Sequence, residues 1–476
     1  MDHRMREMFL LRLFALLSSL LLAGGCDWFG RLPPPGPEQP LVVGLPADPV
    51  FQQNAPDSEG MEGFSRDLVA EFAKELGVEV RFVTHTNHAT LTDELRKGRL
   101  HLAAAMPVRD TPPGVSYGPA IIETRQLIVQ HASSLPLDDP ARLAEREISV
   151  LPDSAQLPAL QALAIDPPPR IVVRNVGEET DLFAGVARRR FDLAAGDELH
   201  FDVASNYYPD LGIAMALPDK LAYAWALPTE MTDLRERAEQ FVTRARLDGT
   251  LRRLHDRYFG HIKRLDARDI QGFLEHVRTR LPDFRHAFQE AQEISGIDWR
   301  LLAALGYQES KWDPLATSPT GVRGLMMLTG ETADRLGVIN RLDGRESILA
   351  GAKYLAMLME ELPEEIKQPD RLWFALAAYN LGMGHLRGGR HFAPGLKRDP
   401  NLWVDMKEVL PLLSRPEYYE RLKSGRARGG EAVIMVENIR NYYDVLSRFE
   451  PIYTPPSLGP TKKPRPEKKR RASARG

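Results

Sequence analysis

The stretch Asp298-Trp299-Arg300-Leu301-Leu302-Ala303-Ala304-Leu305-Gly306-Tyr307-Gln308-Glu309-Ser310-Lys311-Trp312-Asp313-Pro314 decides the fold of the second half of this chain. Trp299 to Leu305 reads as a buried helix, so Glu309 emerges from an apolar helix end into a cleft. Burial there raises a carboxyl pKa. A glutamic acid still protonated near neutrality is what cleavage of a glycosidic bond requires, because the leaving oxygen must receive a proton as the bond breaks. The alternative is a helix-end glutamate that caps a turn or faces solvent. Asp313, four residues on, precedes Pro314 and reads as a turn opener rather than a second acid.

Farther on come Ser318-Pro319, Gly324-Leu325-Met326-Met327, Ala377-Ala378-Tyr379-Asn380, Gly382, Gly384-His385 and Asn438-Ile439-Arg440-Asn441-Tyr442-Tyr443. With these blocks in this order, residues 285–450 resemble the soluble lytic transglycosylase domain, related to goose-type lysozyme. The resemblance implies a mainly α lysozyme-like domain acting on peptidoglycan glycan strands. It makes Glu309 the acid and base and places Ser318 in hydrogen bonding near it. Tyr379 and Asn380 then line the cleft, and Tyr442 points at the scissile region. Most of that superfamily has Gly-Leu-Met-Gln where this chain has Met327, whose thioether fills the cleft floor in place of a polar sugar contact.

Most glycosidases use two carboxylates, and these blocks supply one. A single acid suffices when the substrate provides its own nucleophile. In the family that the chain resembles, the muramic acid 6-hydroxyl attacks its own anomeric carbon and leaves a 1,6-anhydro end. Glu309 then first donates a proton and afterwards removes one. The rival reading is a lysozyme-type muramidase that uses water, for which a second carboxylate should approach the cleft.

Residues 39–262 have a different pattern. Short apolar strands such as Leu41-Val42-Val43-Gly44, Val78 to Val83, Leu100 to Ala104 and Ile148-Ser149-Val150 alternate with helical segments. The clearest of these helices places Phe64, Leu68, Phe72 and Leu76 on one stripe. Alternation of this kind predicts a mixed α/β sheet. Gly63-Phe64-Ser65-Arg66-Asp67-Leu68, Ser116-Tyr117-Gly118-Pro119 and Gly196-Asp197-Glu198 resemble the family 3 periplasmic solute-binding fold, a two-lobed α/β domain found in amino-acid receptors. The resemblance implies a pocket for a muropeptide or amino acid. Asp197 fits the acid that holds a ligand amine; Arg109 reaches the pocket from a position that departs from the family pattern. A purely structural or regulatory lobe is the other reading. The order of the two modules is similar to that of membrane-bound lytic transglycosylases, a branch in which Met327 is ordinary. A fragment from about residue 265 onward is expected to retain some cleavage.

With 476 residues the chain exceeds one core, and with 43% hydrophobic residues it is globular in composition. Residues 1–26 read as a secretory signal: Arg4, Arg6 and Arg12 precede an apolar run from Leu13 to Ala23 that is too short to span a bilayer. The run ends at Gly24-Gly25-Cys26, which resembles a bacterial lipobox. Cys26 is the only cysteine, so no disulfide forms within the chain and lipidation of this thiol is the expectation. A periplasm-facing protein attached to the outer membrane follows, with the inner membrane left open by Asp27. Residues 27–38 read as a proline-rich spacer, 263–284 as a connecting helix and 451–476 as a basic disordered tail. From Pro455 on, eight Lys and Arg stand against Glu467 alone, so the remainder carries about −10 against a chain total of −3.

No metal or redox cofactor is implied, and His385 and His391 read as loop histidines without a ligand set around them. Nothing resembles a nucleic-acid module, since the basic tail lacks interleaved aromatics. A catalytically silent envelope protein that senses a ligand is the rival from another class. Intact Glu309, Ser318, Tyr379 and Asn380 weigh against it.

Overall fold

The structure is a computed structural model describing residues 31–54, 61–319 and 321–455. Residues 41–262 form a nine-stranded mixed sheet carried by two lobes, beside a small pair of strands, Gln53–Asn54 and Met61–Glu62. Eight strands of the sheet run in the order Val80–His85, Leu41–Pro46, Leu102–Pro107, Leu211–Pro228, Ile122–His131, Leu193–Asp197, Glu147–Val150 and Arg170–Val173. Leu41–Pro46 is buried along its whole length, as a strand covered on both faces must be. Phe64–Leu76 is the expected amphipathic helix; it turns Phe64, Leu68 and Phe72 into the first lobe and ends at Gly77, whose φ of 72° lets the chain close the last turn. The two strands Ile122–His131 and Leu211–Pro228 cross between the lobes. They pair with each other over most of their length, with breaks in register between Ile213 and Met215 and between Ala216 and Lys220.

The second half is helical, as expected. Trp299–Ser310 is its central helix, and every residue from Trp299 to Tyr307 is buried. A helix apolar on all sides has to be enclosed by others. Leu281–Ser295, Gly344–Glu361, Asp370–Leu381 and Gly429–Phe449 do this. The segment read as a connecting helix, 263–284, instead holds the helix Ala267–Thr279 and the start of Leu281–Ser295. Ile270, Phe273 and Val277 belong to the C-terminal core, so this segment is part of the second domain. The sequence misled because a short amphipathic helix between two domains does not show which core its stripe enters.

Two other boundaries shift. The proline-rich stretch lies against the first lobe from Leu32 on: the Leu32 amide donates to the Gly98 carbonyl at 2.8 Å, and a ring nitrogen of His101 lies 2.8 Å from the Pro33 carbonyl. The basic tail begins later than residue 451, because the Pro451 carbonyl accepts from Trp299 Nε1 and the Tyr453 carbonyl from Gln292 Nε2. The remainder of that tail and the signal segment with Cys26 lie outside the described residues. Among the described residues no helix is long and apolar enough to cross a membrane.

The domains meet through buried polar groups. Helix Thr250–Phe259 of the first domain packs against Gly429–Phe449, where Arg440 Nη1 lies 2.9 Å from Glu437 and Arg440 Nη2 donates to the Asp256 and Arg257 carbonyls at 2.8 Å. Lys407 bridges Asp256 and Glu437, and Asn441 Nδ2 donates to the Ile262 carbonyl at 2.9 Å. A cavity of about 900 Å³ lies beside this junction, lined among others by Asp48, Tyr207, Arg257, Trp373 and Arg448.

Candidate active site

Asp298 starts the central helix by accepting from the Arg300 amide, and Lys311 ends it with a φ of 53°. The helix therefore stops one turn after its last fully buried residue, and Glu309 stands on that turn. Burial alone pushes the Glu309 carboxyl up to about 8, well into the range where it keeps its proton at neutral pH. Asp313 does what a turn opener does: its Oδ1 accepts from the Leu315 amide at 2.9 Å.

Opposite the helix end runs the turn Gly324-Leu325-Met326-Met327. Ser310 Oγ donates to the Leu325 carbonyl at 2.8 Å, tying the turn to the residue beside Glu309. Tyr379 Oη donates to the Met326 carbonyl at 2.8 Å, and the Met326 amide donates to Ser347 Oγ at 3.0 Å. Gly324 has a φ of 82°, and a Cβ there would lie 1.8 Å from the Arg341 carbonyl oxygen, so no other residue fits this turn without moving it. Met327, half-buried, also takes a positive φ, 49°.

The structure thus brings Tyr379 to Glu309 and ties to both of them the turn that carries Met327. Burial and the charge of Glu309 both push the Tyr379 phenol well above its ordinary value, so it stays a donor. Asn380 follows on the exposed side of the same helix. Ser318 shapes its own turn, with its Oγ accepting from the Val322 amide at 3.3 Å. Tyr442 lies in an aromatic cluster around the central helix, 4.5 Å from the Phe273 ring and 4.9 Å from that of Tyr307. Sequence reasoning missed Ser310, Ser347 and Tyr354, whose ring packs at 5.3 Å on Tyr379. Of these, only Ser310 carried a signal, by its place next to Glu309. His385 sits on a helix rather than a loop, and both its ring nitrogens face backbone carbonyls, of Leu381 and Ser424.

In the first domain, Arg109 and Asp197 both lie at the seam between the lobes. Arg109 Nη1 donates to the Asp153 carbonyl at 2.5 Å. Asp197 caps helix Glu198–Ser205 and is fully buried, with Tyr223 Oη donating to its Oδ2 at 2.7 Å and His200 Nδ1 at 2.8 Å. Glu179, Asp197 and His200 offer atoms within 4.8 Å of one another, a spacing open to a metal ion, but the two carboxylates are already bonded to protein donors.

Comparison with known proteins agrees with this division. The Transglycosylase SLT domain family matches residues 286–393, and the family of bacterial extracellular solute-binding proteins, family 3, matches residues 41–261. The chain is 45% identical to a membrane-bound lytic murein transglycosylase F of Thiobacillus denitrificans over 93% of this chain and 94% of that one. It is 41% identical to the protein of the same name in Nitrosospira multiformis, over 93% of each. Among solved structures, a mutant of ArgBP from T. maritima is similar at 23% identity and a TM-score of 0.40, over 46% of this chain and 95% of that one. With an acid poised at the end of a buried helix and near full-length relatives on both sides of the domain junction, the chain belongs to the membrane-bound lytic murein transglycosylase F family, lyases that cleave peptidoglycan.

Proposed function

We propose that Glu309 is the single acid and base of this cleavage, acting on the β-1,4 bond between N-acetylmuramic acid and N-acetylglucosamine. The observation that carries this is a carboxyl raised to about 8 by burial, with no charged neighbour contributing to the shift among the described residues. Such a group gives its proton to the glycosidic oxygen as the C1–O bond breaks. The carboxylate left behind then takes the proton of the muramic acid 6-hydroxyl as its oxygen bonds to C1. No water is consumed, and the carboxyl is restored. Tyr379 sets the floor of the cleft by holding the Met326 carbonyl, while Asn380, Met327, Ser318 and Tyr442 serve the bound sugars. Mass spectrometry of products from intact peptidoglycan tests the reading: anhydro-muramic ends are expected, and reducing ends would assign a water-using muramidase instead.

The same reading places the enzyme on a membrane facing the periplasm, the outer membrane first, through acylation of Cys26. A signal run ending at Gly24-Gly25-Cys26 supports it, and two acyl chains hold a protein firmly to a bilayer. Cys26→Ser is expected to leave the membrane fraction or to keep an unprocessed signal. Unchanged acyl labelling in that variant would rule the lipid anchor out.

The first domain is read as a receptor for a muropeptide or an amino acid whose change between open and closed forms alters access to the cleft. The direct bonding of helix Thr250–Phe259 to Gly429–Phe449 supports a mechanical link, and coupling needs a ligand that prefers one state. Calorimetric titration of the full chain with muropeptides and amino acids checks it; absence of binding by both classes, with cleavage rates unaltered, refutes it.

A further inference from the structure

His200 lies buried at the seam of the first domain, on the second lobe. Its Nδ1 is 2.8 Å from Asp197 Oδ2 of the same lobe, and its Nε2 is 2.9 Å from Asp48 Oδ2. Asp48 belongs to the turn after strand Leu41–Pro46, in the first lobe, where its other oxygen accepts from the Val50 amide at 2.9 Å. A neutral imidazole has one N–H, so one of the two carboxylates would face a bare nitrogen lone pair. Two ionised carboxylates on the two nitrogens require the doubly protonated ring. The oxygens of Asp197 are filled as well, by the Leu199 and His200 amides, Tyr223 Oη and the His200 ring. The acid expected to hold a ligand amine is already holding a cation of the protein's own.

We propose that His200 is a tethered counter-ion that keeps the first domain shut without a ligand: clamped between Asp197 and Asp48, its imidazolium joins the two lobes. Arg109 and the Asp153 carbonyl form a second bridge across the same seam. The groups facing His200 are Asp197, Glu178 and Glu179 from its own lobe, Asp48 and His88 from the other, and Tyr223 from a crossing strand. Burial opposes the charge on His200, but Asp197, Asp48 and Glu179 together outweigh it and hold the ring well above its ordinary value. Asp197 is lowered, burial being outweighed by His200. A raised histidine stabilises the closed form through neutral pH and loses this contribution as pH rises through its folded pKa. A lowered aspartate loses its contribution only well into acid. The seam is therefore closed in the neutral window and loosens toward alkaline pH.

The test is hydrogen exchange of the full chain, followed by mass spectrometry in segments 46–52 and 196–205. In Asp48→Asn, the amide oxygen keeps the Val50 bond and the NH2 can bond only a neutral ring through its Nε2 lone pair, so the charge pair that joins the lobes is lost. Exchange in both segments is expected to rise about tenfold or more, while segment 299–310 stays unchanged. His200→Gln should do the same. Equal exchange in wild type and both folded variants overturns the proposal. If either variant does not fold, the wild-type profile decides: after correction for intrinsic rates, exchange in the two segments must rise toward alkaline pH relative to segment 348–358 of helix Gly344–Glu361, which is largely buried and carries no carboxyl or histidine, and a flat profile overturns it. The readout needs neither ligand nor cleavage, so it fails separately from the enzymatic reading.

Discussion

Glu309→Gln is expected to lower release of anhydro-muropeptides from peptidoglycan by about 100-fold or more while the protein stays folded and still binds glycan. The amide keeps the size of the side chain and cannot deliver the proton. Since the carboxyl in the free enzyme sits at about 8, wild-type cleavage should hold through neutrality and fall as pH rises past that value. The sign in stability is the same. A carboxyl whose folded pKa is raised contributes its full stability below the ordinary carboxyl range and has lost it by about 8, because over that interval the unfolded chain gives up its proton while the folded one must keep it. Glu309→Gln should remove that loss. Cleavage by the variant within a few-fold of wild type would sink the assignment of Glu309, whatever the products.

The largest effect on stability is expected at Arg440. Its guanidinium is buried at the junction, paired with Glu437 and donating to the Asp256 and Arg257 carbonyls. Arg440→Ala leaves Glu437 buried with only Lys407 as a charged partner, beside the Trp403 Nε1 donor, and takes a donor from the Asp256 and Arg257 carbonyls. Removing one partner of a buried pair costs about 3–5 kcal/mol. Denaturant unfolding of the full chain reads this directly, and a loss below about 1 kcal/mol would mean that the junction is not held by this pair. The same bonds bear on the fragment from residue 265 onward. Such a fragment lacks Asp256, the Arg257 carbonyl and the Ile262 carbonyl, leaving Arg440 and Asn441 partly unsatisfied. Its retained cleavage should therefore come with markedly lower stability than that of a fragment that keeps Thr250–Phe259.

The chain's local patterns were enough for the kind of element and for the acid. Trp299 to Tyr307 is apolar but for Arg300, so enclosure was legible without coordinates, and with it the desolvated place of Glu309. The stripe of Phe64, Leu68 and Phe72 told of a helix over a sheet for the same reason: periodicity records how much of a segment is buried. It does not record against what. Ile270 and Phe273 carry as clear a stripe, yet only packing decides that it enters the C-terminal core, and only packing folds the prolines after Leu32 onto the first lobe. Asp197 was legible as an acid after a strand, while its partner across the seam, Asp48, stands 152 positions before His200. No local rule links such residues. Their meeting depends on how two strands cross between lobes, and the cost of burying charge then selects the protonation state that lets them stay there.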